Sequence, residues 1–501
     1  MKTFRIGLFL ALMVTFLFPA QGDVIAQTQT PNPESPITAP PVPPTGWTRP
    51  LDLSDGTTRN WRAFPTMVCD QYQNLHIFYA DNPISGSAGE GAAVYYRNDT
   101  PGDGKFTSPE DIMALRDPRI YSLAAAVSNK SDRLFVVWTS QTPGTLYFMS
   151  ALLSEAQKVS AWSIPVKLDY LTFNANIKVD SKGIVHLFYS TTDQNALKFD
   201  VFHIQSEDDG ATWSDPDPVY TYTFPEPGYI RIETAIDSKD RIHMGLTVRY
   251  QAYGTYSEVG YTRSEDGGKT WTPYVKFEDK RYPGVEWITP FAFEGDEIHL
   301  TWHDPRRIHI VSNDGGKTWS EPEDIMRMGA AFGGPNYLVK DNSKNLYALV
   351  AISYGVFVTR WDGTSWVESQ QIDTRQIDPH GQQLVVCGGN KLHVVYWDRT
   401  GETSSWYSMR EISDVPALAR KPIPEVSPTA LPTARATQIL IPTETIEEVQ
   451  GVNQNTTALP AVNPIPPENM PSPILPMIIG IGSVLILIIG VVIYSTYFRR
   501  T

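Results

Sequence analysis

The sequence predicts an all-β fold, a ring of four-stranded β-propeller blades, on three observations. The pattern S-x-D-x-G-x-x-W occurs at Ser206–Trp213, Ser264–Trp271 and Ser312–Trp319, with serines 58 and 48 residues apart. A strand signature recurs through the same region: NLHIFY at 74–79, IVHLFY at 184–189, RIHMGL at 241–246, EIHLTW at 297–302 and KLHVVY at 391–396, with RLFVVW at 133–138 and NLYALV at 345–350 as variants. The alternation within these units, and their length of about 40–50 residues, fit propeller blades.

The chain opens with a signal-peptide pattern over residues 1–26. Lys2 and Arg5 form its basic start, Ile6 to Phe18 its apolar core, and Val24-Ile25-Ala26 a cleavage region. The alternative, a membrane anchor, asks for a longer apolar run. Residues 27–45, rich in Pro, Thr and Ser, read as a linker. The globular part then covers 46–414. Its units begin near Arg62, Tyr121, Asn174, Arg231, Trp287, Asn336 and Gln382, which gives seven blades, with six left open. The seventh unit lacks an outer strand, because a Pro/Thr/Ala-rich stalk soon follows at 415–473. Trp47-Thr48-Arg49-Pro50-Leu51 resembles the outer-strand starts at Trp213 and Trp319, so the N-terminal strand is expected to complete the last blade. Closure of this kind removes exposed sheet edges.

Residues 474–497 contain no charge and are long enough, at about 1.5 Å per residue, to span a bilayer core of about 30 Å. Arg499 and Arg500 follow in the short tail 498–501 and place it on the cytoplasmic side. The expectation is a single-pass transmembrane helix with the propeller outside the cell membrane; a sorting tail is the alternative. The formal net charge is −14 and no basic cluster occurs, which argues against a nucleic-acid partner.

The repeated box has the physics of a tight hairpin. Asp208, Asp266 and Asp314 can accept backbone N–H groups of their own turn, and Gly210, Gly268 and Gly316 can take a positive φ. That accounts for the aspartates without calcium. His76, His186, His243, His299 and His393 occupy one repeat position, one per blade, so they read as structural. No metal site and no cofactor is expected.

The box resembles the Asp-box of the sialidase (neuraminidase) superfamily and other Asp-box propellers, in which it is a folding element without chemistry. Sialidase domains are six-bladed, so a count of seven departs from them. The resemblance implies an active site on the face formed by inner-strand starts and second-strand ends: three arginines for a sialic-acid carboxylate, a Tyr nucleophile activated by a Glu, and an Asp acid/base. The matching positions are Glu233 with Arg249 in blade four, and Arg306 or Arg307 for the third arginine. Arg62 stands near the first arginine, although the family's Arg-Ile-Pro reads Arg62-Ala63-Phe64-Pro65. Asp81 is the nearest acid. The nucleophilic Tyr is not matched: Tyr354 lies on the right face in a different loop, and Tyr337 sits deeper in its strand. Arg231 and Arg399 add to a basic face suited to an anionic ligand. Glu233, Arg249 and Arg306 or Arg307 are expected to converge at the channel mouth.

Two functions follow. One is a membrane-anchored sialidase-like glycosidase acting on an anionic glycan such as a sialoside. The other is a non-catalytic propeller that binds a glycan, a surface glycoconjugate or a protein; an assembly factor is a third class. Cys69 and Cys387 fall at nearly equivalent inner-strand positions of blades one and seven, neighbours in a closed ring. They are either bridged or buried free thiols.

Overall fold

The computed structural model describes residues 46–54, 61–82, 91–99, 104–114, 119–140, 144–169, 172–191, 198–223, 228–250, 256–281, 285–304, 306–326, 334–352, 355–400 and 404–423. Among them the strands form seven four-stranded sheets, six of them ordered from the inside outwards along the chain. Inner strands are Trp61–Cys69, Ile120–Ser128, Thr172–Val179, Gly228–Ile236, Glu286–Ala292, Tyr337–Lys340 and Pro379–Cys387. The second strands are the most apolar; Leu75–Asn82 and Leu346–Ile352 are buried throughout, because neighbouring blades cover both of their faces.

The seventh blade is composite. Leu51–Asp52 pairs antiparallel with Ser404–Glu411, with Leu51 opposite Tyr407 and Asp52 opposite Trp406. Hydrogen bonds from Thr48 N to Met409 O (2.8 Å) and from Leu53 N to Ser405 O (2.9 Å) extend the pairing. The N-terminal strand therefore closes the ring, and the blade count is seven. Cys69 and Cys387 are bridged across the same seam, with Cα atoms 5.6 Å apart.

One aromatic at the start of each outer strand reaches back to the preceding blade. Phe106, Trp162, Trp213, Trp271, Trp319 and Trp366 meet Tyr407, Tyr96, Phe148, His203, Tyr261 and His309 respectively, with ring centroids 4.7 to 6.5 Å apart. Blade seven receives its aromatic from the N-terminal segment: Trp47 is buried in the blade-six/seven core, and its indole N–H donates to Gln370 Oε1 at 3.1 Å.

The boxes cap these contacts. In the second, the Gly268 N–H donates to Ser264 Oγ (2.8 Å), and the Thr270 N–H donates to Asp266 Oδ1 (2.9 Å). A Cβ on Gly268 would lie 2.3 Å from the His203 ring, so the turn seats on its neighbour only as glycine. The repeated histidines are structural ties. His243 bonds Asp237 (3.1 Å) through Nε2, and its Nδ1 meets Tyr261 Oη at 2.6 Å; His76 and His186 make the same kind of link to Asp70 and Asp180.

After its last strand the chain crosses the face where inner strands end. The Asn342 amide donates to Pro416 O (3.0 Å), Leu418 N to Gly388 O (2.8 Å), and Arg420 Nη2 to Asn74 Oδ1 (2.8 Å). Residues 415–423, expected as the start of the stalk, thus form a strap over blades six, seven and one. The rest of the expected stalk and the span 474–497 lie outside the described residues, as do the signal peptide and linker. Among the described residues no helix is long and apolar enough to cross a membrane.

Candidate functional site

The inner strands surround a central cavity of about 650 Å³. Its walls differ. Blades three and four contribute Asn174, Asn176, Lys178, Arg231 and Glu233, whereas blades two and five contribute Leu123, Ala125, Phe291 and Phe293. The polarity of blade four follows from strand alternation: Ile230, Ile232 and Thr234 are buried in the blade, and Arg231, Glu233 and Ala235 are left for the channel.

Glu233 is held by a hydrogen bond from Asn176 Nδ2 to its Oε2 at 3.1 Å. Protein surrounds the carboxyl even where the channel leaves it partly open. Burial pushes it up to about 7, against the opposing pull of Lys178 and Arg231. The same burial lowers Lys178, with the Glu233 charge acting the other way. Tyr337 lines the cavity too, and burial, reinforced by the Glu233 charge, raises its phenol well above the ordinary range.

Arg231 stacks on two aromatic rings. Its guanidinium carbon lies 3.9 Å from the Trp287 centroid and 5.2 Å from that of Tyr229. Tyr229 stacks in turn on Phe173, at 4.8 Å between centroids. Among the described residues no carboxylate lies within ion-pair distance of Arg231 or of Lys178, whereas Arg399, which lines the cavity from blade seven, pairs with Asp378 at 3.3 Å. Asp378 also meets His380, at 3.2 Å.

Of the residues singled out from sequence, Glu233, Arg231 and Arg399 line the cavity. Arg249 and Arg306 or Arg307, expected to converge with Glu233, do not line the cavity, and each is engaged by a local partner. Arg249 forms an ion pair with Glu286 of the next blade. Arg306 is half exposed and pairs with Asp304 (3.0 Å) and Asp324 (3.6 Å) on the outer side of blade five. Arg307 is buried and donates from Nη2 to Ala351 O at 2.9 Å. Asp81 is buried at the end of its strand, opposite Arg62 in the backbone register; burial raises the Asp111 carboxyl, and the charge of Asp81 adds to it. None of these four lines the cavity. The Arg62 side chain and Tyr354 lie outside the described residues.

Lys178, Asn176 and Trp287 were missed as site residues. For Lys178 and Asn176 the available signal was an inner strand, TFNANIKV, that carries a lysine beside two asparagines. Asn176 lies in the middle of its inner strand and Lys178 near its end, away from the strand starts and second-strand ends that the sequence singled out. Among the described residues no group of three or more His, Cys, Asp or Glu side chains is arranged to hold a metal ion.

No protein-family model matches the chain, and no curated protein matches it. Solved structures do. A polysaccharide lyase, the PL25 ulvan lyase bound to a GlcA(1-4)Rha3S saccharide, has a TM-score of 0.51 at 10% identity, over 72% of this chain and 96% of that one. The Hadza microbial sialidase Hz136 has a TM-score of 0.46 at 13% identity, over 74% and 70%. The Trypanosoma rangeli sialidase in complex with sialic acid has 0.40 at 12% identity, over 73% and 57%. At these identities the likeness is one of fold. Among the described residues the chain is a seven-bladed β-propeller of four-stranded blades.

Proposed function

We propose that the propeller binds an anionic saccharide in its central cavity, at the outer face of a membrane to which the predicted span 474–497 anchors it. The observation that carries this reading is the pair of cations facing the cavity, Arg231 and Lys178, with no carboxylate of the described residues paired to either. In a chain of formal net charge −14, cations held in this way favour an anion. Asn174 and Asn176 offer donors and acceptors for hydroxyl groups, and the aromatic residues offer apolar surface to a sugar ring. A cavity that joins an apolar wall to a few convergent polar groups is the general form of a small-ligand site.

A second reading, hydrolysis of a sialoside, draws on one observation. Glu233, raised to about 7, shares the cavity with Tyr337 and acts on it electrostatically. A carboxyl poised near neutrality suits general acid/base work. Against this, Tyr337 is raised rather than lowered, and the Glu233 hydrogen bond runs to Asn176.

The test is calorimetric titration of the purified protein with N-acetylneuraminate, D-glucuronate and methyl glucoside, beside a fluorogenic sialoside assay. Acid-selective binding is expected. Arg231→Ala should weaken it roughly 10- to 100-fold, since a hydrogen bond to a charged group contributes about 1.5–3 kcal/mol. Equal affinity for the neutral sugar would sink the reading. Turnover abolished by Tyr337→Phe would favour the hydrolase.

A further inference from the structure

Trp287 has φ +61°. Positive φ in a bulky aromatic residue is an outlier, whereas glycine, asparagine and aspartate accept it readily. Most other non-glycine residues with positive φ among the described residues, Gln73, Asp132, Asp209, Asp240 and Lys344, lie in hairpin turns. Trp287 instead lies in an inner strand, at a β-bulge between Glu286 and Thr289. Blade seven has a bulge at the matching place, between His380 and Gln383, and there the corresponding residue is Gly381, φ +52°. Blade five therefore carries an indole where blade seven carries a glycine in a similar backbone conformation.

The surroundings hold that bulge in place. The Ile288 N–H donates to Thr247 Oγ1 of blade four at 3.2 Å. Opposite the Ile288 carbonyl stands Gly245, where a Cβ would come within 2.5 Å of the oxygen. Blade four is thus cut away to admit the bulge, and the bulge places the Trp287 ring 3.9 Å from the Arg231 guanidinium carbon, at the cavity wall. Strained backbone that its surroundings over-determine is often part of a functional site.

We propose that Trp287 is a positioning residue for ligand recognition: its ring covers the flat face of Arg231 and turns the N–H edge of the guanidinium to the cavity, so that the ligand is met edge-on through a planar carboxylate. The inference rests on the anionic-saccharide reading and adds to it the class of acid. A carboxylate matches the two parallel donors of a guanidinium edge, and a stacked guanidinium loses less freedom on forming both bonds.

The test compares the full chain with Trp287→Gly and Trp287→Phe. Three quantities are measured: the melting temperature, the reaction rate of Arg231 with p-hydroxyphenylglyoxal by peptide mass mapping, and affinity for D-glucuronate and N-acetylneuraminate. Trp287→Gly relieves the backbone, so it should melt no lower than the parent. Its Arg231 should react several-fold faster, and its affinity for both acids should fall about tenfold. Trp287→Phe should stay within threefold of the parent in affinity. A Trp287→Gly protein that melts several degrees lower with unchanged Arg231 reactivity would overturn the proposal, because the indole would then be a core side chain only. If the parent binds neither acid, the anionic-saccharide reading fails by itself. The reactivity comparison still decides the positioning role, and an unchanged rate overturns that as well.

Discussion

At the scale of single residues, Glu233 ties stability to pH. Its folded-state value of about 7 exceeds the ordinary 4.5, so the folded protein holds this proton more tightly than the unfolded chain does. Between those limits the unfolded chain ionises at little cost, and the folded one does not. Stability from this group therefore falls as pH rises from about 4.5 to about 7, by at most about 1.4 kcal/mol per pH unit, and levels off above. Glu233→Gln should remove that slope, matching the parent near pH 4 and exceeding it at pH 8; urea unfolding at both values measures the difference. The sequence made Glu233 visible, since an acidic residue in an inner strand stands out. It could not reveal Lys178 as its neighbour, because that proximity depends on how blades three and four are packed. Arg249 misled for the same reason: position along a strand gives the face, but its ion pair with Glu286 depends on how blade five packs against blade four, whereas the Arg306 partner Asp304 lies two residues away in the same loop.

At the scale of elements, two adjacent glycines of the second box separate backbone strain from packing. Gly267 has φ +74° and open space on the side where a methyl would stand, with nothing within 4 Å, whereas Gly268 has φ +94° and faces His203. Gly267→Ala should cost only the left-handed conformation, about 1–2 kcal/mol. Gly268→Ala adds the clash and should cost about 1–3 kcal/mol more. Denaturant midpoints of the two variants check this, and equal losses would mean that the box does not seat on the preceding blade. The three intact boxes were legible because serine, aspartate, glycine and tryptophan all keep their places. The same contact in blades one, two and six was not legible, since Phe106, Trp162 and Trp366 make it without the motif. Contact between rings constrains geometry more than it constrains the residues of the turn. The closing strand was legible for the opposite reason: Trp47 and Pro50 closely repeat the start of other outer strands.

At the scale of the whole molecule, the bridge between Cys69 and Cys387 closes a loop with a sequence separation of 318. In the chain-entropy model such a loop stabilises the folded state by about 6 kcal/mol. Replacing both cysteines with serine should lower stability by an amount of that order, measured as a shift in the urea midpoint without a change in fold. A shift near zero would mean that strand pairing and the strap hold the seam without help. The composite seventh blade also sets an order in time. Trp47 and Leu51 leave the ribosome among the first residues of the propeller, yet their partners, Gln370 and Tyr407, come more than three hundred residues later. At roughly 5–20 residues per second, that is a wait on the order of tens of seconds. Throughout it, blade one shows an open side and the N-terminal strand has no sheet to join. The last blade to be made is the first moment at which the ring can shut, so the nascent chain must be kept from pairing with its neighbours until that blade has emerged.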